Sequence, residues 1–252
     1  MIRKLFRTSR ADAPAAASLV EGVRVYAIGD VHGCRAELER LLGLIEADDA
    51  ERGGPPSMLI FLGDLVDRGP DSAGVIERLL QLAGERPNTR FLKGNHEEVL
   101  LSALEGERQA LRLFCRVGGR ETAISYGISG EDYDRYDFDE LMARLDELVP
   151  TSHRDFLRAF EDMIELGDYA FVHASIRPEI PLDQQRGSDL RWIRETFLDY
   201  RRPHPRIIVH GHTISEEVDR QPNRIGIDTG AYATGRLTAL GLEGSDSWVL
   251  HS

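Results

Sequence analysis

Gly29-Asp30-Val31-His32-Gly33, Gly63-Asp64-Leu65-Val66-Asp67-Arg68-Gly69 and Gly94-Asn95-His96-Glu97 gather, in three short stretches, residue types that bind metal ions and move protons. Two later pairs, His173-Ala174 and Gly211-His212, add two more imidazoles. Imidazole, carboxylate and amide oxygen together suit manganese, iron, zinc and similar divalent ions. A carboxylate can bridge two such ions. Two cations roughly 3.5–4 Å apart can clamp the attacking and leaving oxygens of a phosphoryl displacement and lower the pKa of bound water. Singly, each residue has a plain structural reading. Asp and Asn at strand ends form turns or cap helices, glycine permits the turn, and a histidine after an apolar run is ordinarily a satisfied core residue. The combination argues for chemistry, because four of the eight histidines sit in these stretches together with Asp30, Asp64 and Asn95.

Each stretch closes a short apolar run. Residues 23–28, 58–62, 89–92, 169–172 and 206–209 precede them in that order, and residues 225–227 form a sixth such run. Runs this short, bounded by turn residues, read as buried strands. Helical periodicity lies between the early ones. Residues 36–47 set Leu38, Leu41, Leu42 and Ile45 on one face, and residues 72–83 do the same with Val75, Ile76, Leu79 and Leu80. Strand alternating with helix predicts an α/β architecture. Open α/β sheets bind ligands beyond the carboxyl ends of their strands, so five such ends can converge. After Thr213 the pattern becomes β-rich. Residues from about 98 to 166 read as helices, including 139–148 and 152–166, the latter with Ser152 as N-cap. The expected organisation is a flexible tail over residues 1–20 and a single domain over 21–252 that carries this helical insertion.

The ordered set GDVHG, GDLVDRG, GNHE, HA and GH, covering residues 29–212, resembles the calcineurin-like metallophosphoesterases. Within them it is most similar to the phosphoprotein phosphatase (PPP) family, particularly its bacterial serine/threonine members. The resemblance implies a metallophosphoesterase-type β-sandwich flanked by helices, with two divalent metal ions at one edge. Manganese is the first choice, and iron, zinc, nickel and magnesium are alternatives. Asp30, His32 and Asp64 would hold one ion and Asn95, His173 and His212 the other, with Asp64 bridging. The same match implies His96 as general acid, oriented by Asp67, a pairing that raises the imidazole pKa and keeps it protonated. Arg68 would bind phosphoryl oxygens as a planar fork. Arg194, in Asp189-Leu190-Arg191-Trp192-Ile193-Arg194-Glu195, resembles a second phosphate arginine of bacterial and phage members; the bland reading is a helix-surface ion pair.

Two positions depart from the pattern. Lys93 stands where arginine is common and offers a compact charge without a fork, a weaker phosphate ligand. Ser175 replaces the usual glycine after His173-Ala174, which touches only the local loop. His210 reads as a core residue. Tyr232, after Asp228-Thr229-Gly230, is open between the site rim and simple packing. His153, His204 and His251 have no motif support.

The 252 residues are enough for one large core. With 41% hydrophobic and 29% charged residues, disordered and collagen-like classes drop out. No apolar run approaches the roughly 20 residues of a membrane span, so no membrane partner is expected. The basic N-terminus lacks the apolar core of a signal peptide. Cys34 and Cys115, the only cysteines, lie far apart, which suits a reducing, cytoplasmic location. Cys34 reads as a small residue packed at a helix start in preference to a redox switch. The net charge of −12 opposes nucleic-acid partners. Bound cations reverse the local sign, so an anionic substrate stays open.

Three functions compete: a phosphoprotein or phosphopeptide phosphatase, a nucleotide-polyphosphate hydrolase similar to the symmetrical diadenosine tetraphosphatases, and a catalytically silent binding module. The module is disfavoured because every metal ligand and the acid histidine are present. Asp67 tips the balance between the enzymes. The dinucleotide hydrolases typically carry a small residue there, and a serine alkoxide needs an oriented acid more than a nucleotide phosphate does. The expected partner is therefore a phosphoprotein or phosphopeptide.

Overall fold

The structure, a computed structural model, describes residues 17–54 and 56–252. Strand β1 (Arg24–Ile28) leads into α1 (Arg35–Arg52), β2 (Met58–Phe61), α2 (Ser72–Glu85) and β3 (Thr89–Phe91). A helical stretch follows: α3 (Asn95–Leu104), α4 (Arg108–Val117), α5 (Gly119–Ser125), α6 (Gly130–Arg135), α7 (Phe138–Leu148) and α8 (Thr151–Arg158). The chain then forms β4 (Met163–Leu166), β5 (Tyr169–Val172), α9 (Gly187–Trp192), α10 (Glu195–Leu198) and β6 (Ile207–His210). It ends with β7 (Asp219–Gln221), β8 (Arg224–Gly226), α11 (Ala231–Thr234), β9 (Thr238–Glu243) and β10 (Asp246–His251).

The strands form two five-stranded sheets, β10-β9-β1-β2-β3 and β4-β5-β6-β8-β7. In the first, β1, β2 and β3 run parallel; in the second, β5, β6 and β8 do. Strand alternation sorts side chains into layers. Val25, Ala27, Ile60 and Leu240 of the first sheet join Phe171, Val209 and Ile225 of the second in the core between the sheets. Tyr26, Ile28, Leu59 and Phe61 turn the other way, into a core shared with α1, α2 and the helical stretch. Ala170, Val172 and Ile208 pack with Leu190 and Phe197 of the α9–α10 region. The result is the expected α/β sandwich flanked by helices.

The helix read over residues 152–166 is shorter in the structure. It stops at Arg158, its N-cap is Pro150 in place of Ser152, and Met163–Leu166 is an edge strand paired antiparallel with β5. Gly167, at φ +57°, and Asp168 form the two-residue turn of this hairpin. Phe160 leaves the helix to stack on Phe91, ring centroids 5.2 Å apart, and the Glu161 backbone bonds both the Phe91 carbonyl and the Lys93 amide. Hairpin pairing and this aromatic contact outweigh the helical periodicity.

As far as residue 16, the tail expected over residues 1–20 lies outside the described residues. Beyond it, Leu19 is buried against the inter-sheet core, and its N–H donates to the Gly244 carbonyl at 2.8 Å. Among the described residues no helix is long and apolar enough to cross a membrane.

Candidate active site

Asp30 follows β1, Asp64 follows β2, Asn95 opens α3 after β3, His173 follows β5 and His212 follows β6. The two sheets thus deliver their residues from the carboxyl ends of parallel strands. Close contacts join these residues and His32. Both Asp30 oxygens accept the His212 N–H, at 3.1 and 3.0 Å. Asp64 Oδ2 lies 3.7 Å from His32 Nε2, and Oδ1 lies 3.4 Å from His173 Nε2. His173 Nε2 is 3.0 Å from Asn95 Oδ1 and 3.2 Å from His212 Nδ1. All six residues are buried. The two oxygens of Asp64 therefore face imidazoles that come from different sheets.

Backbone carbonyls decide which ring nitrogens are free. His32 Nδ1 pairs with the Val66 carbonyl and His173 Nδ1 with the Leu62 carbonyl, both at 2.8 Å. Each Nδ1 must donate there, which leaves the Nε2 lone pair turned toward Asp64. Burial pushes His32 down to about 3 and His212 down to about 2, so both rings are neutral near pH 7. Burial would raise Asp64, but the charges of His173 and His96 outweigh it and hold the carboxyl well below its usual range. Asp30 goes the opposite way, raised well above that range by burial and by the charges of Asp228 and Asp64. Neutral His32 and His212 beside crowded, buried carboxylates form a donor set that divalent cations would satisfy, and His173, which burial would lower but the Asp64 charge raises, would give up its Nε2 proton to join it. Two triads have ligand atoms within 4.8 Å of one another: His32, Asp64 and His96, and Asp64, His173 and His212. The residues fit two cations that share Asp64. The first triad holds His96 where the sequence reading puts Asp30, whose oxygens both accept the His212 amide.

His96 Nδ1 sits 2.7 Å from Asp67 Oδ2. Burial opposes a charged imidazole here, but the Asp64 charge and the Asp67 hydrogen bond together outweigh it and raise the pKa. Arg68 lies between two rings, with Nη2 3.2 Å from His96 Nε2 and Nη1 3.3 Å from His32 Nε2. The Tyr232 ring stands 5.0 Å from the Arg68 guanidinium and 5.4 Å from the His32 ring, partly exposed at the rim of the site. Among the described residues Arg194 has no carboxylate partner; its Nε donates to His212 Nε2 at 2.9 Å. Lys93 is not brought to this group, since its ammonium donates to the Arg158 carbonyl at 3.3 Å. His210 is buried edge-on against Phe197. With its guanidinium between His32 and His96, Arg68→Ala is expected to lower turnover by roughly 10²-fold and to weaken inhibition by inorganic phosphate. Unchanged phosphate inhibition and turnover would remove Arg68 from the site.

The backbone around these groups is bent in an unusual way. His32, Asp64, Asp67, Arg68 and His212 all have left-handed φ, between 46° and 72°. Each such residue costs about 1–3 kcal/mol unless its surroundings over-determine it. Glu97 supplies part of that determination. Its buried carboxylate accepts the N–H groups of Asp64 at 2.9 Å, Leu65 at 2.7 Å and Gly94 at 2.8 Å. Gly94 is needed because a Cβ there would fall 2.1 Å from Asp64 Oδ1. Glu97→Ala strands three buried amides, at roughly 1–3 kcal/mol each. Urea unfolding should show a loss of about 3 kcal/mol or more, and a loss under 1 kcal/mol would show that water or a shifted loop replaces the carboxylate.

Sequence reasoning quoted Glu97 in a motif without a role. It passed over Asp228 as well, a buried carboxyl after β8 that burial pushes up to about 6 and whose charge acts on Asp30. A signal for Asp228 existed, since it closes the sixth apolar run just as Asp30 and Asp64 close the first two. Thr122, which bonds Asp67, gave none.

A groove of about 630 Å³ opens between α3, whose first residues are Asn95 and His96, and α4. Val99, Leu113, Arg112, Arg116 and Trp192 line it together with the carboxylates of Glu98 and Glu107. Trp192 is 40% exposed, and its indole N–H donates to Glu98 at 2.6 Å, which fixes the ring.

The profile of the family described as calcineurin-like phosphoesterase matches residues 23–237. A symmetrical bis(5'-nucleosyl)-tetraphosphatase of Methylococcus capsulatus is 38% identical over 154 residues, which are 61% of this chain and 44% of that protein. The chain therefore spans less than half the length of that relative. The asymmetrical bis(5'-nucleosyl)-tetraphosphatase PrpE of Anoxybacillus flavithermus is 27% identical over 237 residues, 84% of this chain and 88% of that protein. A crystal structure provisionally described as a diadenosine tetraphosphatase aligns with a TM-score of 0.61 at 24% identity, covering 94% of this chain and 98% of that one, a likeness of fold. The relatives' names overturn the expected phosphoprotein or phosphopeptide partner and point to nucleotide substrates. The inference from Asp67 fails for a physical reason. Asp67 is fully buried, and its side chain bonds His96 and Thr122. It holds the His96 ring, and that contact carries no information about which leaving group the ring would meet.

Proposed function

The chain belongs to the calcineurin-like phosphoesterase family, and from that premise we propose that it is a two-metal hydrolase of bis(5'-nucleosyl) polyphosphates. The geometric observation that carries the hydrolase chemistry is Asp64, whose two oxygens face imidazoles from both sheets. The nucleotide substrate rests on the tetraphosphatase names of the two relatives.

In this reading Asp30, His32 and Asp64 hold one cation, and Asp64, Asn95, His173 and His212 hold the other; manganese is the first candidate. When bound, such a pair of ions activates water near neutral pH and neutralises charge on the phosphoryl oxygens. The chain's own residues do the rest. Arg68 places its fork on the phosphoryl group being transferred. His96, its Nδ1–H held by Asp67, presents Nε2 to the leaving oxygen and donates the proton there. Arg194, whose Nε reaches His212 Nε2 at 2.9 Å, would supply a second guanidinium for a phosphate oxygen. The groove beside α3 offers a fixed indole for a base to stack on and two arginines for distal phosphates.

The test is turnover of metal-loaded protein on diadenosine tetraphosphate and on a phosphoserine peptide in parallel. Higher kcat/KM on the dinucleotide is expected. Two ADP as product would place the enzyme with the symmetrical hydrolases, and ATP plus AMP with the asymmetrical ones. Faster turnover of the peptide at equal metal loading would defeat the nucleotide reading and leave the phosphoester chemistry standing.

A further inference from the structure

The corner where α4 meets α5 touches both strained residues of the Asp67-Arg68 pair. The Gly118 carbonyl accepts the Arg68 N–H at 2.9 Å, and the Val117 carbonyl accepts Arg68 Nε at 3.3 Å. Thr122, fully buried in α5, places its hydroxyl 2.7 Å from Asp67 Oδ1, 2.9 Å from the Asp67 N–H and 2.8 Å from the Ser72 hydroxyl. The corner is tight. Gly118 has φ +112°, and a Cβ on it would lie 2.7 Å from Arg68 Cγ.

A proton count fixes the direction of these bonds. The Asp67 amide can only donate, and it is shared between the Thr122 oxygen at 2.9 Å and the Ser72 oxygen at 3.0 Å, using a lone pair of each. Thr122 has a single hydrogen, and an ionised carboxylate is a stronger acceptor than a neutral hydroxyl, so that hydrogen goes to Asp67 Oδ1. Ser72 then donates to the remaining lone pair of Thr122. With Asp67 ionised, Oδ1 is satisfied by Thr122 and Oδ2 is an acceptor turned to His96 Nδ1, which then donates.

We infer that the α4–α5 corner is the positioning element of the proton donor, and that Thr122 is the residue through which it sets the orientation of the Asp67–His96 pair. Arg68 is locked by the same corner, so the phosphate fork and the acid keep one fixed relation. The inference rests on phosphoester hydrolysis with His96 as acid and not on the nucleotide substrate.

The test pairs Thr122→Val, which keeps the shape and removes the hydroxyl, with Thr122→Ser, which restores it. Metal-loaded variants are assayed on phenyl phosphate and on p-nitrophenyl phosphate, whose leaving group hardly needs a proton. Thr122→Val should lose roughly ten-fold more kcat on phenyl phosphate than on p-nitrophenyl phosphate, as the loss of a hydrogen bond to a charged group suggests, and Thr122→Ser should recover most of it. Independently of turnover, the His96 Nδ1–H proton resonance of the metal-free protein, assigned with His96→Asn, should sit far downfield in wild type and Thr122→Ser and be shifted or lost in Thr122→Val. If Thr122→Val does not fold, Thr122→Ala takes its place in both measurements. Equal losses on the two substrates together with an unmoved His96 resonance would reduce Thr122 to packing and overturn the inference. A moved resonance in a protein that turns over neither substrate would uphold the positioning role while defeating the hydrolase reading.

Discussion

Asp64→Asn is expected to lower phosphoesterase activity by about 10³-fold or more and to reduce bound divalent metal from two ions per chain to one or none. Its two oxygens lie 3.7 Å from His32 Nε2 and 3.4 Å from His173 Nε2, so one substitution weakens both halves of the donor set. Charge stabilisation by bound cations is worth several kcal/mol in phosphoryl transfer, and about 1.4 kcal/mol corresponds to a tenfold change in rate. Asparagine keeps the acceptor for the His96 amide, which Oδ1 now takes at 3.0 Å, so the fold should survive. Two measurements check this. Elemental analysis after gel filtration should give two equivalents for wild type, and added metal should raise Tm in wild type far more than in the variant. Full activity with a single ion in wild type would sink the two-metal reading.

His96→Asn should cost roughly 10²–10⁴-fold in turnover wherever the leaving oxygen is a strong base. His96 Nδ1 lies 2.7 Å from Asp67, and Asp64 and Asp67 hold its pKa above the ordinary imidazole value despite burial. A nucleotide phosphate is a weaker base than an alkoxide and departs with less help. The loss should therefore be largest on an alkyl phosphate, smaller on diadenosine tetraphosphate and smallest on p-nitrophenyl phosphate. Kinetics on the three substrates at saturating metal decide the matter. Equal losses across the series would mean that His96 serves only as structure or as a ligand.

The sites at strand ends were legible because each packs its message into a few consecutive residues. An apolar run fixes a strand, the glycine beside it fixes a turn, and the acid or imidazole between them can only emerge at the carboxyl edge. The strands before Asp30, Asp64 and His173 form where periodicity places them. The residues that hold the site were not legible in the same way. Thr122 is 55 residues from Asp67, and nothing in the local pattern of α5 marks that contact. The helix expected over 152–166 shows the complementary failure. Its periodicity was real, but the Gly167-Asp168 turn and the pairing of Met163–Leu166 with β5 are tertiary facts that override local propensity. Substrate class escaped for a third reason: Asp67 is a buried partner of His96, and no motif in the chain marks a surface that would read a substrate.

The division of the donor set between the two sheets has a consequence for the whole molecule. Asp30, His32 and Asp64 ride on one sheet's strand ends, and His173 and His212 on the other's. Cations shared by both would act as rivets across a seam otherwise closed by side chains such as Ile60, Phe171 and Val209. Fit at the seam and affinity at the rivets then become a single quantity seen from two directions, since whatever the ions contribute to the sheets' alignment, that alignment returns to the ions. A slip of the sheets, begun by a methyl lost deep in the sandwich, would be felt as a change in metal affinity.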